Sequence, residues 1–453
     1  MDISGYISQR APAFLVGIGG VSMSALADLL LRRGITVRGS DVRESAAVAA
    51  LRAEGIDVSI GHAAENIKGA AYLIRTAAAH DDNPEIAAAR ERGIPVFERA
   101  EAWGAIMAEH GAALCIAGTH GKTTATSMAV SIALEDGLDV TAMIGGELPG
   151  VGSHRTGNGS LIIAESCEYC NSFLHFRPTV AVVLNIEEDH LDFFSGIAEI
   201  RQSFRSFCEL TPPDGTVVIN ADDQETVAAL EGIDRRVVTF GIDSPTADVR
   251  AENLTCERGR WSFDIIHPGG LIPVSLSVPG RHNVTDALAA AAAMLELGAD
   301  GISIARALAS FRGAARRFEF KGTFSGADVY DDYAHHPSEL RALFETARGC
   351  GYNRVIALFQ PHTYSRTRAL FSDFAEVLRM PDMSLILPIF PAREADDGSV
   401  SSEMLAAVSG CRALSFEEAE KFLRGELRDG DLLLTVGAGE AYRVAEALCG
   451  RAQ

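Results

Sequence analysis

Short apolar runs that stop at glycine or at polar residues, each followed by a segment with helical spacing, recur along the whole chain. The run Ala13-Phe14-Leu15-Val16 enters Gly17-Ile18-Gly19-Gly20-Val21-Ser22. A helical segment follows through Leu26, Leu29 and Leu30, and Thr36-Val37-Arg38-Gly39 ends at Ser40-Asp41. The alternation continues with a helix over 46–54, strands over 58–60 and 71–75, and a helix over 84–92. A larger block over 112–311 repeats the pattern, and its strands end in residues of catalytic type: Leu161-Ile162-Ile163-Ala164 at Glu165, and Val180-Ala181-Val182-Val183-Leu184 ahead of Asn185 and His190. Residues 247–278 instead alternate polar and apolar positions between Gly and Pro, which predicts antiparallel strands. Gly280-Arg281-His282-Asn283 then opens an Ala-rich helix. After a hinge of small residues and arginines over 312–317, a third block predicts strands over 328–330, 355–359, 385–387 and 432–436, with helices over 338–348, 368–379 and 440–449. Strands that alternate with helices imply parallel sheets. The pattern predicts an α/β chain of three domains, 1–108, 109–314 and 315–453, with antiparallel additions in the middle one.

The sharpest chemical signal is Gly118-Thr119-His120-Gly121-Lys122-Thr123-Thr124, which follows the apolar run 113–117 and opens a helical segment. Glycines let backbone N–H groups close on phosphate oxygens, the lysine reaches terminal phosphates, and the hydroxyl can ligate Mg²⁺. The chain has only four lysines (Lys68, Lys122, Lys321 and Lys421), so the match is not a product of a lysine-rich composition. The usual loop has four residues between its glycines; here Gly118 and Gly121 are two apart. A phosphate loop also needs an acidic residue from a neighbouring strand to share its Mg²⁺. Thr123 and Glu165 fit those roles, and His190 can hold a second ion. Gly17, Gly19, Gly20 and Ser22, with Asp41 at the following strand end, approximate a dinucleotide fingerprint, although Ser22 stands at the third glycine. That turn on its own also admits an NAD-dependent dehydrogenase. The dense run Asp331-Asp332-Tyr333-Ala334-His335-His336-Pro337 predicts a ribose or phosphate contact rather than zinc, because adjacent histidines point apart on regular structure. His362 and Arg366 follow another strand and suit carboxylate or phosphate recognition.

Composition narrows the partners. A formal charge of −21 over 453 residues argues against nucleic acid or an anionic membrane surface, since phosphate neutralisation needs a basic footprint. The polar opening MDISGYISQRAP predicts no secretory signal, and 8 scattered cysteines fit a reducing cytoplasm. Cys167-x-x-Cys170 lacks the second pair a zinc site would want.

Taken together, the phosphate loop, the runs Glu165-Ser166-Cys167-Glu168-Tyr169 and Ser172-Phe173-Leu174, Asn185-Ile186-Glu187 with Asp189-His190-Leu191-Asp192, Gly280-Arg281-His282-Asn283, 331–337, Gln360-Pro361-His362 with Arg366-Thr367, and Gly437-Ala438-Gly439 resemble the Mur ligases in matching order. The short glycine spacing is that family's form. The resemblance implies a Rossmann-like N-terminal domain that binds a UDP-sugar, a central P-loop ATPase, and a Rossmann-like C-terminal domain that closes over it. It implies a cytoplasmic step of peptidoglycan precursor synthesis. ATP, with Mg²⁺, phosphorylates the lactyl carboxylate of UDP-N-acetylmuramate, and the amine of L-alanine attacks the acyl phosphate. By the same resemblance Lys122, Glu165 and His190 are catalytic, and Thr123, Glu165 and His190 bind metal. Gly118, Thr119, His120, Gly121, Lys122, Thr123, Thr124, Asn283, Arg317, Asp331 and His335 contact ATP; Gly17, Gly19, Gly20, Ser22, Asp41, His362 and Arg366 contact the other substrates. A monomer or homodimer is expected. Asp286 stands where the family often has a second asparagine. A ligase that recycles a preformed peptide onto the same sugar nucleotide is the alternative within the class.

Overall fold

The structure, a computed structural model, describes residues 2–450 apart from Asp192 and Arg393. Asp192, the last residue of the run Asp189-His190-Leu191-Asp192, therefore lies outside the described residues. The chain divides into two compact units, one holding residues up to 250 with 288–307, the other holding 251–287 with the residues from 308 onward.

The first unit contains a parallel sheet and a second sheet that is parallel apart from one hairpin. β1 (Ala13–Val16), β2 (Val37–Asp41), β3 (Asp57–Ile60), β4 (Tyr72–Arg75) and β5 (Val96–Glu98) form a 5-stranded sheet in the order β3-β2-β1-β4-β5. The order reverses between β1 and β4, the switch point at which open sheets of this kind take ligands. The next strands are β6 (Ala112–Ala117), β7 (Thr141–Leu148), β8 (Gly152–Arg155), β9 (Leu161–Glu165), β10 (Val180–Val183), β11 (Thr216–Asn220) and β12 (Arg236–Gly241), ordered β12-β11-β10-β6-β9-β7-β8. β6 sits between β10 and β9, and its residues 113–117 are almost wholly buried. A strand covered on both faces reads as a continuous apolar run, as this one does.

The second unit carries the predicted antiparallel segment. It comprises β13 (Val249–Glu257, of which the first two residues belong to the first unit), β14 (Arg260–His267) and β15 (Gly270–Pro279), with β14 and β15 antiparallel. Its main sheet is 6-stranded: β16 (Glu319–Phe324), β17 (Ala327–Asp332), β18 (Arg354–Phe359), β19 (Met383–Ile386), β20 (Arg412–Ala413) and β21 (Asp431–Val436), in the order β16-β17-β21-β18-β19-β20. Only the β16–β17 pairing is antiparallel.

Several elements depart from the sequence reading. The helix Arg99–Met107, the antiparallel β7–β8 hairpin, and strands β5, β16 and β20 were not anticipated. The helix expected over 368–379 is two pieces, Tyr364–Ala369 and Phe371–Val377, broken at Leu370, whose φ of −107° is off the helical value. Among the described residues no helix is long and apolar enough to cross a membrane.

Candidate active site

β6 runs directly into the loop 118–121, and the helix Lys122–Glu135 starts on Gly121. Gly121 has φ +82°, a left-handed conformation that a side chain disfavours, so the abrupt turn from strand to helix needs glycine here. The loop is fastened by the end of the neighbouring strand β10. The Thr119 N–H donates to the Asn185 carbonyl at 3.0 Å, and the His120 N–H donates to Asn185 Oδ1 at 2.8 Å. Asn185 Nδ2 donates back to the His120 carbonyl at 3.1 Å, and the Glu187 N–H donates to Thr119 Oγ1 at 2.9 Å. The ring of His120 lies 3.4 Å from Glu187. Asn185 is thus the residue that holds the loop in shape.

Lys122 is tied down in the same place. Its ammonium donates to the Gly118 carbonyl, to the Thr119 carbonyl at 3.1 Å, and to Glu168 at 3.0 Å. Burial alone would lower the proton affinity of Lys122, but the charge of Glu168, with that of Glu165, outweighs it and holds the ammonium well above its ordinary range. Glu168 is 2% exposed. Burial, reinforced by Glu168, pushes the Cys167 thiol up to about 11, so it stays protonated and has no nucleophilic role at neutral pH. The other face of Glu168 meets His190, whose Nε2 lies 3.9 Å from Glu168 Oε1 and 3.8 Å from Asp189 Oδ2. His190 has φ +53°, and its ring lies tilted against that of Tyr169, with centroids 4.6 Å apart. The structure therefore brings Lys122 and His190 to Glu168, a carboxylate to which the sequence reading gave no role. Glu168 was visible in the motif, but its pairing with Lys122 spans 46 residues and leaves no local signature.

The donor set suits Mg²⁺. Thr123 is largely buried, and its hydroxyl makes no hydrogen bond among the described residues. Glu165 ends β9, and one of its oxygens accepts from the Gly145 N–H at 2.8 Å. A Cβ on Gly145 would fall 2.2 Å from Glu165 Oε2, so a side chain here would push that carboxylate aside. An orphaned hydroxyl and a carboxylate are the hard oxygen donors this ion prefers.

In the N-terminal sheet the Gly17 and Ile18 N–H groups donate to the Ser40 carbonyl at 2.9 and 3.0 Å. The Gly19 N–H donates to Asp41 Oδ2 at 2.9 Å, so the strand-end acid closes on the glycine-rich turn. Gly20 caps the next helix, Val21–Arg32. The Ser22 hydroxyl turns away from the turn. It donates to Met143 Sδ at 3.1 Å and accepts from Trp103 Nε1 at 3.1 Å, which leaves its backbone for any phosphate contact.

The remaining expected residues lie in the second unit. Asn283 is buried, and its side chain donates to the Pro279 carbonyl at 2.6 Å. Asp331 accepts from Arg316 at 2.8 Å and from Thr435 Oγ1 at 2.7 Å. Burial raises its proton affinity against the Arg316 charge. Burial likewise lifts Asp332 to about 6, opposed by Arg317. The ring of His335 lies 5.8 Å from that of His362. His362 stacks on Phe390 at 5.7 Å, and an Arg366 N–H lies 3.2 Å from His362 Nδ1. Asp331, Gly437 and Gln360 mark the carboxyl ends of the adjacent strands β17, β21 and β18.

Three family models match the chain: the Mur ligase family catalytic domain over residues 14–110, the Mur ligase middle domain over 116–294, and the glutamate ligase domain of Mur ligases over 316–439. The UDP-N-acetylmuramate–L-alanine ligase of Clostridium novyi is 46% identical over 439 residues, covering 95% of each chain. Among solved structures, the UDP-N-acetylmuramate–alanine ligase MurC from Thermotoga maritima matches with a TM-score of 0.81 and 29% identity, covering 97% of this chain and 99% of that one. A murein peptide ligase from Psychrobacter arcticus shares the fold, with a TM-score of 0.75 at 21% identity, covering 97% and 98%.

Proposed function

The chain belongs to the Mur ligase family, and from that premise we propose that it joins L-alanine to UDP-N-acetylmuramate at the expense of ATP, releasing ADP and phosphate. It is an ATP-dependent carboxylate–amine ligase of peptidoglycan precursor synthesis. The observation that carries the reading is the phosphate loop with Lys122 charged and paired, flanked by Thr123 and Glu165. The 46% identity to an L-alanine-adding relative over 95% of its length supports the choice of amino acid.

In the reaction, an oxygen of the lactyl carboxylate attacks the γ-phosphorus of ATP, and the bond to the departing ADP oxygen breaks. The amine of L-alanine then attacks the carbonyl carbon of the acyl phosphate. Phosphate leaves, and the nitrogen gives up a proton as the amide forms. The Lys122 ammonium counters charge on the transferring phosphoryl group, and the N–H groups from Gly121 onward, rather than those of Thr119 and His120, hold its oxygens. Asn185, which accepts the Thr119 and His120 N–H groups, keeps the loop in shape. Glu168 keeps Lys122 protonated and aimed. Thr123 and Glu165 would hold Mg²⁺, and His190, beside the Glu168 and Asp189 carboxylates, a second ion. The bound metal would neutralise phosphate oxygens.

The same proposal gives residues 1–108 to the UDP-sugar, with Gly17, Gly19, Gly20, Ser22 and Asp41 at its nucleotide. It gives 109–314 to ATP and 315–453 to closure over ATP and the amino acid. Asn283 from the middle block and Arg317, Asp331 and His335 from the last would contact ATP, and His362 with Arg366 the amino-acid carboxylate. The reading is tested by amino-acid-dependent ADP release from ATP and UDP-N-acetylmuramate. Release with L-alanine supports it, and release only with a preformed tripeptide would instead make the chain a recycling ligase.

A further inference from the structure

We propose that the hairpin β7–β8 couples the glycine-rich turn of the first sheet to the metal ligand of the second, with Met143 as the positioning residue. The inference rests on the reading that the turn 17–22 holds a sugar nucleotide and that Glu165 holds Mg²⁺. In that reaction a carboxylate oxygen has to meet the γ-phosphorus at about 3–3.5 Å. One sheet holds the first reactant and the other sheet the second. The relation between the two sheets is therefore part of the catalytic geometry, and some element has to set it.

The route is short. The Ser22 hydroxyl gives its one proton to Met143 Sδ at 3.1 Å and accepts from Trp103 Nε1 at 3.1 Å. Met143 is buried and lies opposite Ala164 in the β7–β9 pairing, so the next residue of β9 is Glu165 itself. Two residues along β7, the Gly145 N–H donates to Glu165 Oε2 at 2.8 Å. A Cβ on Gly145 would lie 2.2 and 2.3 Å from the two carboxylate oxygens, so the carboxylate rests on the bare backbone of β7. A shift of β7 therefore moves the oxygens that Glu165 offers to an ion.

A second tether makes helix and hairpin one body. Asp28 is buried on the helix Val21–Arg32, which starts at the turn. A buried carboxylate is costly unless donors match its oxygens. Arg32 Nε donates to it at 2.7 and 2.9 Å, and Thr156 Oγ1, one residue past β8, donates at 2.9 Å. His154 Nε2, on β8, lies 3.5 Å away. The helix is thus fastened to the hairpin at Ser22 and again about 9 Å along its axis. Apolar packing suffices to cement two sheets, whereas here polar bonds fall on the turn itself and on the metal ligand itself. A ligand that fixes the backbone of Ser22 fixes Met143, and through β7 the Glu165 carboxylate. By linkage, an ion on Glu165 does the same for the turn.

The test is calorimetric titration of the full chain with ADP and Mg²⁺, alone and with saturating UDP-N-acetylmuramate; ADP lacks the γ-phosphate and does not react. In the wild type the sugar nucleotide should tighten ADP with Mg²⁺ by about five- to a hundredfold. Met143→Leu keeps the volume and removes the acceptor. It should leave the affinity for each ligand alone within about twofold and cut the coupling by about three- to tenfold. Met143→Gln returns an acceptor to the Ser22 hydroxyl and should recover part of the coupling. Ser22→Ala should add nothing to the loss already caused by Met143→Leu, since both cut the same link. Coupling in Met143→Leu equal to that of the wild type, with only the unfolding temperature lowered, would make the hairpin cement and overturn the inference. So would a wild type whose two affinities are independent. A wild type that does not bind UDP-N-acetylmuramate would overturn instead the reading on which it rests.

Discussion

At the scale of single residues the account turns on Lys122 and the carboxylate beside it. Lys122→Ala removes the cation over the phosphate loop, and amino-acid-dependent ADP release should fall by at least about a hundredfold. Glu168→Ala should behave differently, since it leaves the loop's lysine buried without its counter-charge. Removing one partner of a buried pair costs about 3–5 kcal/mol, so this variant should unfold at a visibly lower temperature, as differential scanning calorimetry would record. An unfolding temperature equal to that of the wild type would show that the pair does not hold the loop. The loop was legible because glycine, lysine and threonine at this spacing carry their own local conformation. Glu168 was not, because nothing in the residues around 168 indicates which distant ammonium they face. Ser22 shows the reverse case. Its position in a glycine-rich turn reads as a phosphate contact, yet its hydroxyl is taken by Trp103 and Met143.

At the scale of elements, two close constraints can be tested. β7 passes β9 so tightly that Gly145 and the Glu165 carboxylate share one space. Gly145→Ala should displace Glu165 and raise the Mg²⁺ concentration needed for half-maximal ADP release. An unchanged Mg²⁺ titration would remove Glu165 from the metal site. The second constraint lies in the helix Arg281–Glu296, where burial lifts the Asp286 carboxyl to about 8 against the opposing charge of Arg317. The unfolded chain releases this proton near the ordinary value of 3.8, whereas the folded chain holds it to about 8. Between those values the unfolded state binds fewer protons, so stability falls as pH rises. Asp286→Asn removes that loss. Its unfolding temperature should exceed the wild type's by several degrees at pH 8, with the gain vanishing near pH 4. A gain equal at both pH values would refute the raised carboxyl.

The elements that the sequence hid each lack a local pattern. The helix Arg99–Met107 buries almost every residue from Ala100 to Met107, so it has no polar face to mark a helical period. β7 is buried over its first half and exposed around Gly145, which masks a strand. β20 is only two residues long.

At the scale of the whole molecule, the order of motifs along the chain and the three sheets agree. The parallel strands were read from apolar runs ending in polar residues, and those ends carry Glu165, Asn185, Asp331 and Gln360. The long-range pairings that complete the sites, Ser22 with Met143 and Glu168 with Lys122, came only from the folded chain. A net charge of −21 sits beside these anion-handling sites without conflict, because the positive groups needed are few and local: one lysine, the loop N–H groups and the arginines of the second unit. The central claim is that this loop energises a sugar-nucleotide carboxylate for attack by one amino acid. Its most direct test is phosphate release by the purified chain supplied with ATP, Mg²⁺ and UDP-N-acetylmuramate, with L-alanine or with a tripeptide. Phosphate release that requires both UDP-N-acetylmuramate and L-alanine is the result expected; release with the tripeptide alone, or release indifferent to the sugar nucleotide, would contradict it.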